Sequence, residues 1–474
     1  MANRNLILNA DSYKASHFLQ YPPETARVSS YIEARGGQFK QAVFFGLQMF
    51  IKEYLTKPIT HADVDEAQAV FATHGVPFNE AGWRYIVDTY NGYLPIEIEA
   101  LPEGAVVPVK NAMVQVVNTD PNCAWLTSYV ETALLRAVWY PTTVATQSWY
   151  CRQVILRYME ETCDAVEGIG FKLHDFGARG ATTEEAAAIG GAAHLVNFMG
   201  TDTLSGLMAA RRYYGADMAG FSIPAAEHST VTAWGRDNEV AAYANMLDQF
   251  AGPGKLVAVV SDSYDLWNAI DNIWGEELKE KVEATGGTLV VRPDSGDPVE
   301  IVCETIQRLM NKFGFTVNGK GFRVLPACIR VIQGDGISLQ TIEEILAAMK
   351  AKQLSADNIA FGMGGELLQK INRDTMKFAM KASAALIANE WRDVYKDPVT
   401  DQGKRSKKGR LAVIKDDKGN VKTVREDELG DRNNLMQVVF RNGEVIREDN
   451  FEQVRANALV GEAPVAEAED AIVA

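Results

Sequence analysis

The chain has 474 residues, 47% of them hydrophobic, and a formal charge of -15. That length accommodates roughly two or three domains around a large core, and the acidic balance argues against nucleic acid or an anionic membrane as the main partner. Five cysteines, Cys123, Cys151, Cys163, Cys303 and Cys328, are odd in number and form no C-x-x-C pair, which suits reduced thiols in a cytoplasmic protein better than a disulfide scaffold.

The first residues, MANRNLILNADSYKASHF, are interrupted by Asn9, Asp11 and Lys14 before a signal-length apolar core can form, and no later run is long enough to span a bilayer. The expectation is a soluble, unprocessed chain. ARVSSYIEAR, LPIEIEALPEGAVVPV and VQVVN read as strands punctuated by Pro and Gly, with a helix around VFFGLQMFIKEYL. This first part looks like a mixed α/β domain. The pattern turns helical through TSYVETALLRAVWYPTTVATQSWYCRQVILRYMEETC.

After Gly170 a strand, loop, helix rhythm begins. KLHDFGARGATTEEAAAIGG ends a strand at His174, Asp175 and Phe176, and Thr182 with Glu185 has capping-box spacing. The next loops carry Asp202, then Glu227 and His228, then Asp262. TLVVRPDSGDPV delivers Arg292 and Asp294 from an apolar strand, with Asp297 and Pro298 placed to start a helix. CIRVIQGDG and NIAFGMGG set Gly334, Asp335 and Gly336, then Gly362, Gly364 and Gly365, at strand ends. About seven such units between residues 170 and 384 make an incomplete (β/α) barrel the economical fold, with one mouth lined by the loops after its strands. Beyond 385 the rhythm stops, LMQVVFRNG and EVIRED read as strands, and the tail GEAPVAEAEDAIVA reads as disordered.

The chemistry suggested by that mouth is a phosphorylated sugar handled with magnesium. Glycines let backbone N–H groups approach phosphate, arginines supply forked donors, and aspartates accept from ribose hydroxyls or hold a hydrated cation. The six histidines show no H-E-x-x-H or paired-ligand spacing, so no protein-built metal site is assigned. Plainer readings stand beside these. Asp262 and Asp297 could be helix caps, as could Asp202 for a helix near Leu204. His228 could be a structural histidine, Arg292 and Asp294 a loop ion pair, Phe176 and Tyr13 core residues, and the run from Lys404 to Arg410 a solvated loop.

DSYKASH, HDFGARG, HLVNFMGTDT, SIPAAEHSTVTAWG, VVSDSYD, VRPDSGDP, VIQGDG, NIAFGMGGELLQKINRD and KDPVTDQGKRSKKGR, in this order, closely resemble the nicotinamide phosphoribosyltransferases, a type II phosphoribosyltransferase family. The resemblance runs from about residue 5 to about residue 455. It implies transfer of phosphoribose from 5-phosphoribosyl 1-pyrophosphate to nicotinamide in NAD salvage, with Mg2+ held mainly through pyrophosphate and water. It also implies optional ATP hydrolysis and a homodimer with shared active sites. The implied layout is a flanking α/β domain from 1–140 and 385–460, a barrel at 141–384 and a tail at 461–474.

By the same resemblance, nicotinamide would lie between Phe176 and Tyr13 of the partner, with Arg179 on the amide oxygen, Asp202 on the amide nitrogen and Asp11 nearby. Arg292, Asp294, Gly334, Asp335, Gly364 and Gly365 would receive the ribose and its phosphate. Arg35, Arg373, Lys381, Lys396 and Lys404 would serve the pyrophosphate and ATP end. His228 would be phosphorylated from ATP and oriented by Asp262. An aspartate aimed at an amide NH2 gains a charge-assisted hydrogen bond and repels nicotinate, so Asp202 favours nicotinamide. Against animal members, the segment after Arg35 is short, and Ala178, Glu366 and Ala379 stand where those have tyrosine, glycine and serine. A nicotinate phosphoribosyltransferase and a non-catalytic signalling or scaffold protein of the same fold are the alternatives.

Overall fold

The computed structural model describes residues 5–400 and 405–460. Lys404 and the tail at 461–474 lie outside the described residues. The chain opens with strands β1 (Thr25–Glu33), β2 (Ile96–Ala100) and β3 (Ala112–Asn118), then runs through the helix Glu131–Thr162. The six strands of a second sheet follow: β4 (Leu173–Asp175), β5 (Gly200–Thr201), β6 (Leu256–Val260), β7 (Thr288–Arg292), β8 (Ile329–Gln333) and β9 (Ile359–Met363). The chain then returns through β10 (Ala379–Ile387), β11 (Glu390–Asp393), β12 (Gln437–Arg441) and β13 (Glu444–Val445).

Strands β4 to β9 form one parallel sheet in the order β5-β4-β9-β8-β7-β6. Strands β6, β7 and β9 are short, largely apolar runs, as burial on both faces requires; in β7, Leu289, Val290 and Val291 are all buried. The two edges are joined by the extended segment at 221–226. Phe221 N–H donates to Met199 O at 2.7 Å, while Ala258 N–H donates to Pro224 O and Ala226 N–H to Ala258 O, each at 2.9 Å. This segment fills the place expected from SIPAAEHSTVTAWG without becoming a regular strand, because Pro224 has no N–H to contribute to a ladder. The barrel is therefore incomplete, as its sequence implies. Ala258, Val290 and Ile332 fill its interior with Phe176, Ile223 and Ala360 packed against them.

The helices start where local chemistry permits. Asp297 accepts from Val299 and Glu300 N–H at 3.0 Å each, Pro298 occupies the first position, and Val302, Ile306, Leu309 and Phe313 bury one face of Pro298–Phe313. One cap differs from expectation by a residue. Thr183, not Thr182, accepts from Ala186 N–H at 3.1 Å, while Thr182 N–H donates to Gln369.

The other large sheet has seven strands in the order β11-β10-β1-β3-β2-β12-β13 and unites both ends of the chain. All its pairings are antiparallel. The boundaries expected at 140/141 and 384/385 fall inside elements: the helix Glu131–Thr162 crosses the first and β10, a member of the flanking sheet, crosses the second. The segment after 400 also holds an antiparallel pair, Leu411–Lys415 with Val421–Arg425, that hydrophobic rhythm alone did not reveal.

Candidate active site

All the polar groups expected at the mouth follow the carboxyl ends of β4 to β9 or the closing segment. The best-defined part is built around the ring of Phe176. Phe176 leaves β4 with its N–H on Met363 O at 2.9 Å, and its ring lies against bare backbone of β9. A Cβ at Gly362 would stand 2.0 Å from Phe176 Cε2, and one at Gly334 would stand 3.3 Å away. The Arg292 guanidinium sits 5.6 Å from the ring centroid, and the His174 ring 4.9 Å from it. Phe176 is half-buried, so one part of it still faces the mouth.

Beside this ring stands Asp202. Its Oδ1 accepts from Ser222 Oγ and lies 3.0 Å from His174 Nε2. Burial pushes its carboxyl up, but the hydrogen bonds from His174 and Ser222, with the Arg292 charge, outweigh that and hold it below the ordinary value. Asp202 does not cap the helix Leu204–Tyr214, whose cap position, Thr203, makes no side-chain hydrogen bond to it. Arg179 is exposed on a short turn at Ala178–Gly180.

A second cluster surrounds His228, the first residue of the short helix His228–Thr232. Its Nδ1 is 3.0 Å from Ser263 Oγ. Its Nε2 is 3.4 Å from Asp294 Oδ2 and 3.8 Å from Asp262 Oδ1, the carboxylate expected to orient it, which is beyond hydrogen-bond reach. Asp262 instead ties down the next loop, accepting from Asp294 N–H at 3.0 Å and Ser295 Oγ at 2.5 Å through Oδ2. Nor does it cap a helix, a task taken by Asp265. Arg292 donates to Asp294 Oδ1 at 2.7 Å, while the buried Asp262 Oδ1 and Arg292 Nε have no hydrogen-bond partner among the described residues. Buried polar atoms are normally paired, so these two stand out. Asp335 and Gly365 are exposed at the same strand ends, and a Cβ built on Gly365 would meet open space among the described residues.

The third group of residues comes from the flanking sheet. Lys381 lies opposite Tyr31 in the β1–β10 register, and burial with the charges of Arg35, Lys14 and Lys396 pushes its ammonium below the ordinary value, Glu131 opposing. Arg35 pairs with Glu33 at 3.3 Å, and its Nη2 is buried without a hydrogen-bond partner among the described residues. The turn Arg373–Thr375 docks on the same segment through Arg35 N–H to Met376 O at 3.1 Å and Gln38 N–H to Thr375 O at 2.9 Å. Arg373 itself is exposed and pairs with Asp374. Lys396 is exposed, and Lys404 falls outside the described residues. Near the N-terminus, Asp11 Oδ2 accepts from Thr132 Oγ1 at 2.7 Å, and Tyr13 is 58% exposed, touching His17 and Lys14 rather than Phe176.

Sequence reasoning missed His174 and Ser222 as partners of Asp202, and Ser263 and Ser295 as partners of His228 and Asp262. A signal existed for His174: it stands two residues before Phe176, which on a strand puts both side chains on one face. No comparable signal marked the serines, which reach the site from other loops.

Residues 171–444 match the model of the nicotinate phosphoribosyltransferase (NAPRTase) family, and residues 5–98 match that of the nicotinamide phosphoribosyltransferase N-terminal domain. Among solved structures, the fold is similar to a nicotinate-nucleotide pyrophosphorylase from Pyrococcus furiosus (TM-score 0.63, 15% identity, covering 100% of this chain and 99% of that one). It is also similar to human nicotinic acid phosphoribosyltransferase (TM-score 0.52, 16% identity, covering 95% and 92%). Fold and family models together define an enzyme of the phosphoribosyltransferase class. The sequence is 55% identical over 460 residues to a nicotinamide phosphoribosyltransferase of Xanthomonas campestris pv. campestris, covering 96% of this chain and 98% of that protein. It is 31% identical to one from Acinetobacter baylyi, covering 94% and 96%. The chain belongs to the nicotinamide phosphoribosyltransferase family.

Proposed function

We propose that this enzyme transfers phosphoribose from 5-phosphoribosyl 1-pyrophosphate to nicotinamide, giving nicotinamide mononucleotide and pyrophosphate for NAD salvage. The observation that carries the choice of ring is Asp202, an ionised carboxylate beside the Phe176 platform. An amide nitrogen can donate to it, whereas nicotinate would set two carboxylates against each other. Arg179 would take the amide oxygen, and a neutral pyridine nitrogen attacks the anomeric carbon without needing a general base. Arg292, Asp294, Asp335 and the backbone at Gly334, Gly364 and Gly365 would hold the ribose and its phosphate. Holding the two reactants in line supplies proximity, and cationic groups stabilise the departing pyrophosphate.

Among the described residues no group of three or more His, Cys, Asp or Glu side chains is arranged to hold a metal. The unpartnered Asp262 Oδ1 beside Asp294 nevertheless suits a magnesium ion carried largely by water and substrate phosphates, the usual habit of that ion. Bound there, magnesium would neutralise charge on the leaving pyrophosphate. Arg35, Arg373, Lys381 and Lys396 would serve the same end of the substrate.

In the optional reaction with ATP, a nitrogen of His228 would form a P–N bond as the bond from the γ-phosphorus to the ADP oxygen breaks. Ser263 on Nδ1 leaves Nε2 as the attacking atom when Nδ1 carries the proton. We read the active unit as a homodimer, because Tyr13 is exposed and away from Phe176 in its own chain, and Leu19, Leu204 and Met208 are exposed apolar residues suited to an interface. No helix among the described residues is long and apolar enough to cross a membrane, and all five cysteines are free, in keeping with a cytoplasmic enzyme. The test is product formation by purified protein with phosphoribosyl pyrophosphate, Mg2+ and nicotinamide. Mononucleotide and pyrophosphate in equal amounts support the reading, and their absence overturns it.

A further inference from the structure

We propose that His174 is the positioning residue that sets amide over acid at the ring site, by holding one oxygen of Asp202 so that the other is committed to the amide N–H. The inference rests on the reading of Phe176 and Asp202 as the ring site and extends it to a residue outside the ring's own contacts.

The two oxygens of Asp202 are not equivalent. Oδ1 is shared by His174 Nε2 at 3.0 Å and by Ser222 Oγ. Among the described residues no hydrogen bond reaches Oδ2, and the side chain is 48% exposed, so Oδ2 is the oxygen left for a ligand. The backbone of Asp202 is fixed as well, its N–H donating to Asp175 O at 3.0 Å.

His174 is itself held in place by Phe176 and Gly200. Its side chain is 14% exposed, its ring packs 4.9 Å from the Phe176 ring, and a Cβ on Gly200 would stand 2.9 Å from its Nδ1. It therefore touches both the platform under the ring and the acceptor beside it. For Nε2 to donate to a carboxylate it must carry a proton, which fixes either the Nε2–H tautomer or the imidazolium. Held by Ser222 alone, the carboxylate is less constrained about its last torsion and presents Oδ2 to the amide less consistently.

The test compares wild type, His174→Ala, His174→Gln and Ser222→Ala with nicotinamide and nicotinate in separate reactions at saturating phosphoribosyl pyrophosphate. A hydrogen bond to a charged acceptor predicts an increase of about 10- to 100-fold in KM for nicotinamide in His174→Ala, with a smaller change in kcat. The preference for nicotinamide over nicotinate should narrow in parallel. His174→Gln, which keeps an N–H donor, should recover part of the loss, and Ser222→Ala should move the same ratio less. A structural role alone would lower kcat or the melting temperature without changing the ratio between the two rings. Nitrogen-15 NMR of wild-type His174 supplies a readout that requires no variant to fold, and should show a protonated Nε2. An unchanged amide-to-acid ratio in folded His174→Ala, or a bare Nε2, overturns the proposal while leaving the activity intact. A wild type that uses only nicotinate overturns the ring reading itself, and this inference with it.

Discussion

Gly362→Ala offers a direct test of the ring platform. The added Cβ would stand 2.0 Å from Phe176 Cε2, 2.3 Å from Cδ2 and 2.9 Å from Cζ. Carbon atoms settle about 3.5 to 4.0 Å apart, so the ring would have to withdraw by roughly 1.5 Å. Gly362 has no positive φ, so the backbone accepts alanine and the strain is confined to this contact. Because Phe176 is only half-buried, it can retreat into the mouth, into space a substrate ring needs. Overpacking costs about 1 to 3 kcal/mol of stability, and we expect the lower end here. A misplacement of about 1 Å at a reacting group costs on the order of 100-fold in rate, so kcat/KM for nicotinamide should fall by roughly 10- to 100-fold. Steady-state mononucleotide formation, paired with urea denaturation, separates the two effects. Gly365→Ala is the steric control, since nothing lies within 4 Å of its Cβ and stability should change little. A Gly362→Ala enzyme with wild-type kinetics would refute the platform.

Other expectations follow from the same contacts. Asp202→Asn removes the negative charge while keeping the shape. The preference for nicotinamide over nicotinate should shrink at least about 10-fold, as measured by the two kcat/KM values. Thr183→Ala should cost about 1 kcal/mol in urea unfolding through loss of the cap, whereas Thr182→Ala should cost much less. Glu103 is buried and accepts from Gly46 and Gln48 N–H and from Tyr214 Oη at 2.9, 2.7 and 2.5 Å. Burial pushes its carboxyl up from 4.5 to about 7 against those hydrogen bonds. The folded state then binds the proton more tightly than the unfolded state, so this group's stabilisation is full below 4.5 and declines as pH rises to about 7. The slope reaches at most about 1.4 kcal/mol per pH unit. Urea unfolding across that range should show wild type losing stability relative to Glu103→Gln; parallel curves would contradict the assignment.

Much of this architecture was legible in the chain. Apolar runs ending in charge located the strands after Gly170, because parallel strands are buried on both faces and their carboxyl ends carry the site. Asp297 and Pro298 announced a helix start by chemistry that acts within a few residues. What stayed hidden depended on distant partners. Ser222 and Ser263 look like ordinary loop residues until the barrel brings them against Asp202 and His228. Asp262 was legible as a strand-end carboxylate, but not its ties to Ser295 and the Asp294 N–H through Oδ2, which come from the next loop. The cap at Thr183 illustrates a smaller ambiguity: two adjacent threonines offer the same group, and the docking of Thr182 on Gln369 decides between them.

The most direct test of the central claim is a competition in one vessel, with nicotinamide and nicotinate at equal concentration and phosphoribosyl pyrophosphate limiting. Products would be separated and quantified. The account predicts nicotinamide mononucleotide in at least about 10-fold excess, the margin a charged acceptor provides. An excess of nicotinate mononucleotide would contradict it.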